Sequence, residues 1–200
     1  MNSQKSIEYS QGFVNESRET IVRRVKEELS TSRYEHVLRV EETAVELARK
    51  YDENIEKASV AALLHDFAKE KSSRFMKDTI INQNLDLDML DYGNSIWHGP
   101  VGSYLAKKEF HIKDKDILNA IFYHTFGRPQ MSKLEKIIFV ADYIEPNRDF
   151  KEAKKARKKA EESLDKAMAY IVKKTLIHLV KNDKKVFLKA VDTYNESLNY

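Results

Sequence analysis

Apolar residues recur every three or four positions along most of this chain, a spacing that lines them up on one face of a helix and gives a strand no inner side. Ile21, Val25 and Leu29 form one such stripe, and Val37, Val40, Ala44, Leu47 and Ala48 form another. Little interrupts the pattern, because the 200 residues include only 5 Gly and 3 Pro, too few for a fold of many short strands. The spacing predicts an all-α fold. The length suits one core: residues 1–16 as an N-terminal extension, 17–150 as the core, and 151–200 as C-terminal helices packed on the same domain. No internal repeat or linker asks for a second unit.

Capping chemistry predicts where the helices begin. One starts near Ser17. Ser32 and Glu35 stand in capping-box register and predict a helix from Arg33 to near Tyr51, followed by another from Ile55 to about Phe67. Residues 71–96 are more polar and read as short helices and loops. Gly99 and Pro100 then open a helix through Lys108, with proline in its first turn. Asp114 caps a helix running to about His124. Ser132 with Glu135 begins one that ends near Glu145, where Pro146 closes it. The last fifty residues predict two or three helices, including the stripe Leu164, Met168, Ile171, Thr175 and His178.

Cysteine is absent, which removes disulfides and thiolate metal sites and agrees with a reducing compartment. The polar start from Met1 to Gly12 lacks the apolar run of a signal peptide, and no stretch approaches the roughly 20 apolar residues that span a bilayer. A cytoplasmic protein with no membrane partner is expected. The formal charge of +3, from 35 basic and 32 acidic side chains, makes the overall field weak, so any electrostatic argument has to be local.

The local argument starts from polar residues on core-facing stripes. His36 lies in line with Val40, Ala44 and Leu47; His65 extends Ala58 and Ala62; His124 extends Ile117 and Ile121; Asp142 extends Leu134 and Ile138. Asp66 adjoins His65, and His98 sits beside Gly99. A single histidine on an apolar stripe is ordinarily a hydrogen-bonded core residue. Four imidazoles and two carboxylates converging on one core are different, because buried carboxylates repel one another unless cations accompany them. Nitrogen and oxygen donors without sulfur suit iron, manganese, cobalt, nickel or zinc, and six protein ligands exceed what one open catalytic ion takes. Two transition-metal ions are therefore expected. Asp66 would bridge ions roughly 3.5–4 Å apart, with His36, His65 and Asp142 completing one and His98 and His124 the other.

The order of these residues resembles that of the HD-domain metal-dependent phosphohydrolases, in the variant with two additional histidines. Ala-Leu-Leu-His-Asp-Phe-Ala-Lys (62 to 69), Trp-His-Gly-Pro-Val-Gly (97 to 102), Tyr-His-Thr-Phe-Gly-Arg (123 to 128) and Ala-Asp-Tyr-Ile-Glu-Pro-Asn-Arg (141 to 148) are similar to the YqeK family. The similarity spans Arg33 to Arg148, with a weaker echo at Tyr194 and Asn195. It implies an HD-domain helical bundle with additional C-terminal helices. It also implies symmetrical hydrolysis of diadenosine tetraphosphate to two ADP, and an iron-containing dinuclear centre. One position departs from the family phrase: Phe126 follows Thr125 where a second small hydroxyl residue is expected, which removes a hydrogen bond to phosphate.

Around the ligands, Lys69 stands three residues past Asp66 and, on a continuing helix, would share its face and reach a phosphate oxygen. Asp66 and Lys69 are thus the catalytic candidates. Thr125, Gly127 and Arg128 directly follow His124 and offer a hydroxyl, a close-approach backbone and a planar guanidinium for phosphate. Arg148 and Arg33 are further phosphate candidates. Glu145 is placed to orient a ligand imidazole, while His111 and His178 fall outside the pattern and read as structural. The basic run Lys151, Lys154, Lys155, Arg157, Lys158 and Lys159 reads as a solvated face over buried Ala153, Ala156 and Ala160, with no nucleic-acid motif beside it. A nucleotide is the expected partner, and the sequence is compatible with a homo-oligomer. Two other readings stay open: an HD-type phosphohydrolase acting on a nucleotide monophosphate or a guanosine polyphosphate, and a non-catalytic module that binds RNA or protein.

Overall fold

The computed structural model describes residues 7–10 and 12–199, and these form ten α-helices and one short 3-10 helix with no strand. The helices are α1 (Arg18–Glu28), α2 (Thr31–Lys50), α3 (Ile55–Leu64), α4 (Ser73–Asn82), α5 (Asn94–Glu109), α6 (Lys115–Tyr123), α7 (Lys133–Ile144), α8 (Lys151–Glu162), α9 (Leu164–Lys181) and α10 (Leu188–Ser197), with the 3-10 turn at Leu87–Asp91. Among the described residues no helix is long and apolar enough to cross a membrane.

The centre is a sandwich of α2, α3, α6 and α7. Its inner faces carry Val40, Ala44, Ala58, Ala62, Ile117, Ile121, Leu134 and Ile138, all inaccessible to solvent. α5 packs along α6, and α8 and α9 cover the outer side of α7. Caps set several boundaries. Asp114 accepts from the backbone N–H groups of Asp116 and Ile117, and Ser132 and Glu135 form the expected capping box. The Ser32 box does not form. α2 starts at Thr31, because the Ser30 N–H and hydroxyl both donate to Glu70, at 2.6 Å each, and so fix the chain's entry before the helix.

α5 also begins earlier than expected. It starts at Asn94, so Pro100 lies inside the helix and His98 on its body. Of the extension expected over 1–16, residues 1–6 and 11 lie outside the described residues. Elsewhere in that stretch, Tyr9 hydrogen-bonds the Ser59 hydroxyl at 2.7 Å, the Ser10 N–H donates to Glu56 and Val14 is buried. In the basic run the three alanines are buried as expected, but Arg157 does not face solvent. Its guanidinium donates to the carbonyls of Ile144, Glu145 and Arg148 at 2.6–2.9 Å, which satisfies the open C-terminal end of α7.

Candidate metal centre and phosphate cavity

The six expected ligands meet at one place. His36 comes from the first third of α2, His65 and His124 from the C-caps of α3 and α6, Asp66 from the turn after α3, His98 from α5 and Asp142 from the last turn of α7. Asp66 stands at the middle. Its Oδ2 lies 3.5 Å from His65 Nε2 and 3.7 Å from His36 Nε2, while its Oδ1 lies 3.3 Å from His98 Nε2 and 3.9 Å from His124 Nε2. One carboxylate therefore divides its oxygens between two imidazole pairs. Asp142 Oδ1 is 3.1 Å from His36 Nε2 and also falls within reach of His65 and His124.

All four imidazoles are held by Nδ1. Glu145 Oε1 meets that atom of His36 at 3.2 Å, and the backbone carbonyls of Ala62, Asn94 and Ile121 meet those of His65, His98 and His124 at 2.6–2.7 Å. A carbonyl can only accept, so the proton of each neutral ring sits on Nδ1 and the lone pair on Nε2. Four lone pairs thus point at one another and at two carboxylates. His98 Nε2 and His124 Nε2 approach to 3.1 Å, and the Nε2 atoms of His36 and His65 are buried with no hydrogen-bond partner among the described residues.

Burial disfavours relieving this by protonation. It pushes His124 down to about 3, with His98 and His65 adding to the effect, and it lowers His65 as well. Burial alone would raise Asp66, but its close neighbours His65 and His98 and the ammonium of Lys69 outweigh it and hold the carboxyl well below its usual range. Asp142 is likewise depressed: its contact with His36 and the field of His65 outweigh burial. Ionised carboxylates facing imidazole lone pairs are a donor set that fits cations.

Local features make the convergence possible. A Cβ at Gly99 would come 2.7 Å from the Phe122 carbonyl and 3.2 Å from that of Ile121. Only glycine lets α5 lie this close to the end of α6 and bring His98 against His124. α3 ends at Leu64, and residues 65–70 form tight turns rather than the continued helix expected from the sequence. In these turns the Lys69 N–H donates to the Asp66 carbonyl at 2.8 Å, and the Asn94 amide donates to the Lys69 carbonyl. The Lys69 ammonium consequently sits over His98, 3.4 Å from both ring nitrogens. Burial lowers its pKa, a shift opposed by Asp66 and Asp142.

A cavity of about 280 Å³ opens above the cluster, with Arg33, Lys69, Thr125, Tyr143, Arg148 and Thr175 among its lining. Arg33 donates to Asp66 Oδ2 at 2.9 Å, and Arg148 to Asp142 Oδ1 at 3.1 Å. Thr125 Oγ1 is buried and has no hydrogen-bond partner among the described residues. Two expected contacts do not reach this cavity. Arg128 makes a forked pair with Glu135, at 2.7 and 3.0 Å, and Gly127, at φ 71°, packs against Thr193 of α10. Phe126 also faces away, edge-on to Phe122, Tyr123 and Phe187, so a hydroxyl at 126 would not meet a phosphate there.

Three participants were missed. Arg39 donates to Glu145 Oε2 at 2.8 Å, and Tyr143 and Thr175 supply cavity wall, Thr175 as the one hydroxyl in the apolar stripe of α9. Burial alone would raise Glu145, yet hydrogen bonds from Arg39, the Asn147 N–H and His36 hold it below the ordinary range. Burial and the nearby Glu152 push Tyr143 up to about 12, so its phenol keeps its proton.

Residues 33–147 match the model of the HD domain. The chain belongs to the HD domain family. This HD protein is similar to the symmetrical bis(5'-nucleosyl)-tetraphosphatase of Bacillus subtilis, 43% identical over 90% of this chain and 96% of the relative. It is 41% identical to the protein of the same name from Halalkalibacterium halodurans, over 87% of this chain and 93% of the relative. Among solved structures, it resembles a Clostridium acetobutylicum protein described as a predicted HD superfamily hydrolase involved in NAD metabolism. That match has a TM-score of 0.88 and 38% identity, and covers 92% of this chain and 98% of the other.

Proposed function

We propose that this HD protein is a metal-dependent phosphohydrolase that cleaves diadenosine tetraphosphate symmetrically to two ADP; its Bacillus and Halalkalibacterium relatives are named symmetrical bis(5'-nucleosyl)-tetraphosphatases. The observation that carries the reading is Asp66 dividing its two oxygens between imidazole pairs on the floor of a cavity rimmed by Lys69, Arg33 and Arg148. His36, His65, Asp66 and Asp142 would hold one ion, and Asp66, His98 and His124 a second. The donor set suits iron, manganese, cobalt, nickel or zinc, and the family resemblance favours iron. Bound there, the ions would supply Lewis acidity for phosphoryl oxygens and a water that ionises near neutral pH.

The chain's own contribution is placement and charge. The Nδ1 anchors keep the Nε2 atoms aimed inward, so no ring has to reorient during turnover. Lys69 neutralises charge on the attacked phosphoryl group, and Arg33, beside Asp66, and Arg148, beside Asp142, meet the remaining phosphates. Thr125 has its hydroxyl free to donate to a phosphate oxygen. Water adds to the second phosphorus from one end, the bond from that phosphorus to the oxygen shared with the third breaks, and each half leaves as ADP. Lacking cysteine and any helix fit to span a bilayer among its described residues, the enzyme suits the cytoplasm, where its nucleotide substrate would be met.

Chromatography of the products from metal-replete enzyme on a panel of nucleotides tests the reading. ADP is expected as the sole early product from diadenosine tetraphosphate. An early mixture of AMP and ATP, or preferential cleavage of a guanosine polyphosphate or a nucleotide monophosphate, would refute the symmetrical assignment.

A further inference from the structure

Next to the phosphate cavity lies a second hollow of about 570 Å³, bounded by Phe150, Glu152, Lys174, Ile177, His178 and Lys181. The two spaces share Tyr143 and Thr175 as a common wall. Their chemistry differs. The first is ringed by basic side chains suited to phosphate, whereas the second offers an aromatic pair. Tyr143 and Phe150 meet edge to face with ring centroids 5.3 Å apart, and Phe150 is 40% exposed. An exposed phenylalanine ring at the N-cap of α8, in a hollow that the aliphatic Ile177 also lines, leaves an apolar surface with no occupant from the described chain. Lys174 and Lys181 at the rim make no ion pair among the described residues.

The substrate class says what belongs there, and the inference rests on the function proposed above. A dinucleoside tetraphosphate cut at its middle has a nucleoside on each side of the broken bond, beyond two phosphates. A cavity of about 280 Å³ filled by phosphates has no room for either base. A mostly apolar hollow with a few polar groups, of the size that takes small molecules, adjoins it at the right place. We infer that this hollow is the seat of one nucleoside of the dinucleotide. Its base stacks on the free face of Phe150, the phosphates run over Tyr143 and Thr175 toward Lys69, Lys174 and Lys181 meet the polyphosphate charge, and Glu152 accepts from ribose hydroxyls.

The test compares diadenosine tetraphosphate with adenosine 5'-tetraphosphate, which carries the same four phosphates but lacks the second nucleoside. The first is measured by its KM as substrate, the second by its Ki as a competitive inhibitor. Phe150→Ala should raise the KM of the dinucleotide about tenfold, the worth of one stacked base, and move the Ki of the mononucleotide less than about twofold. Ile177→Trp fills the hollow without touching the stacking ring and should do the same. Equal shifts for both ligands, or no shift for either, would overturn the subsite. Failure of the parent enzyme to turn over diadenosine tetraphosphate would instead bring down the function on which the subsite rests.

Discussion

Replacing Glu145 by Gln separates an imidazole oriented for a metal from one that is merely packed. Three donors share this carboxylate: His36 Nδ1 at 3.2 Å on Oε1, and Arg39 Nε and the Asn147 N–H, each at 2.8 Å, on Oε2. Glutamine keeps a single acceptor oxygen. If that oxygen turns toward Arg39 and Asn147, two contacts survive and the amide NH2 faces His36 Nδ1, which must then accept. The ring proton moves to Nε2, the atom that points at Asp66 and Asp142. The opposite placement keeps His36 but strands a guanidinium and a backbone N–H beside an NH2 at a site that is 2% exposed, so the first placement wins.

The expected cost is therefore concentrated on metal affinity, about 10- to 100-fold, or roughly 1.4–2.7 kcal/mol. Metal-free protein should lose only a few degrees of melting temperature, since two of the three contacts remain. Dialysis against graded concentrations of the metal, with elemental analysis of the retained ion and a parallel activity titration, reads the effect. Parent-like metal affinity in Glu145→Gln, together with a large loss of thermal stability, would refute the argument. Glu145 would then be a helix-end contact and nothing more.

Elemental analysis of the gently purified parent should find about two transition-metal ions per chain; Asp66→Ala should lose its metal and its activity, whereas His178→Ala, on the exposed end of α9 and away from the six converging side chains, should keep its metal. If the two variants behave alike, the sorting of the histidines is wrong. Changing Lys154, Lys155, Lys158 and Lys159 to Gln should leave hydrolysis within a few-fold of the parent, while Arg157→Ala, which frees two carbonyls at the end of α7 and one in the loop after it, should cost about 2 kcal/mol of stability in denaturant unfolding. Equal stability of these two variants would show that Arg157 is one more solvated charge.

What the sequence made legible is what depends on near neighbours. The α7 capping box could be read because Ser132 and Glu135 satisfy one another within a single turn. The six converging side chains could be read because a polar side chain on an apolar stripe stands out against its own helix. The errors come from distant partners. Ser32 looked like a cap, but Glu70, forty residues away from Ser30, fixes the start of α2. Arg128 has the fork that suits a phosphate, and the same fork suits Glu135, whose buried carboxylate claims it. Nothing local distinguishes the two. Pro100 read as a helix start because its missing N–H is harmless there, yet α5 begins six residues earlier, at Asn94, and runs through it.

The same division between near and distant partners runs through the candidate metal centre itself. His65, His98 and His124 are each oriented by a carbonyl three or four residues earlier in their own helix. Once those helices form, the three rings face inward without help from elsewhere. For His65 and His124 the anchoring carbonyls belong to the last turns of α3 and α6, groups that a helix end leaves short of partners, so each helix end and its ring satisfy one another. His36 is the exception. Its Nδ1 contact comes from Glu145, 109 residues along the chain, and that residue's own carbonyl is held by Arg157 of α8. The assembly of the site therefore turns on one long-range joint, at which the end of α7 meets α2 and α8. Substitutions near that joint should disturb the His36 side of the centre before the His98 and His124 side, because only the former depends on the C-terminal third of the chain for its orientation.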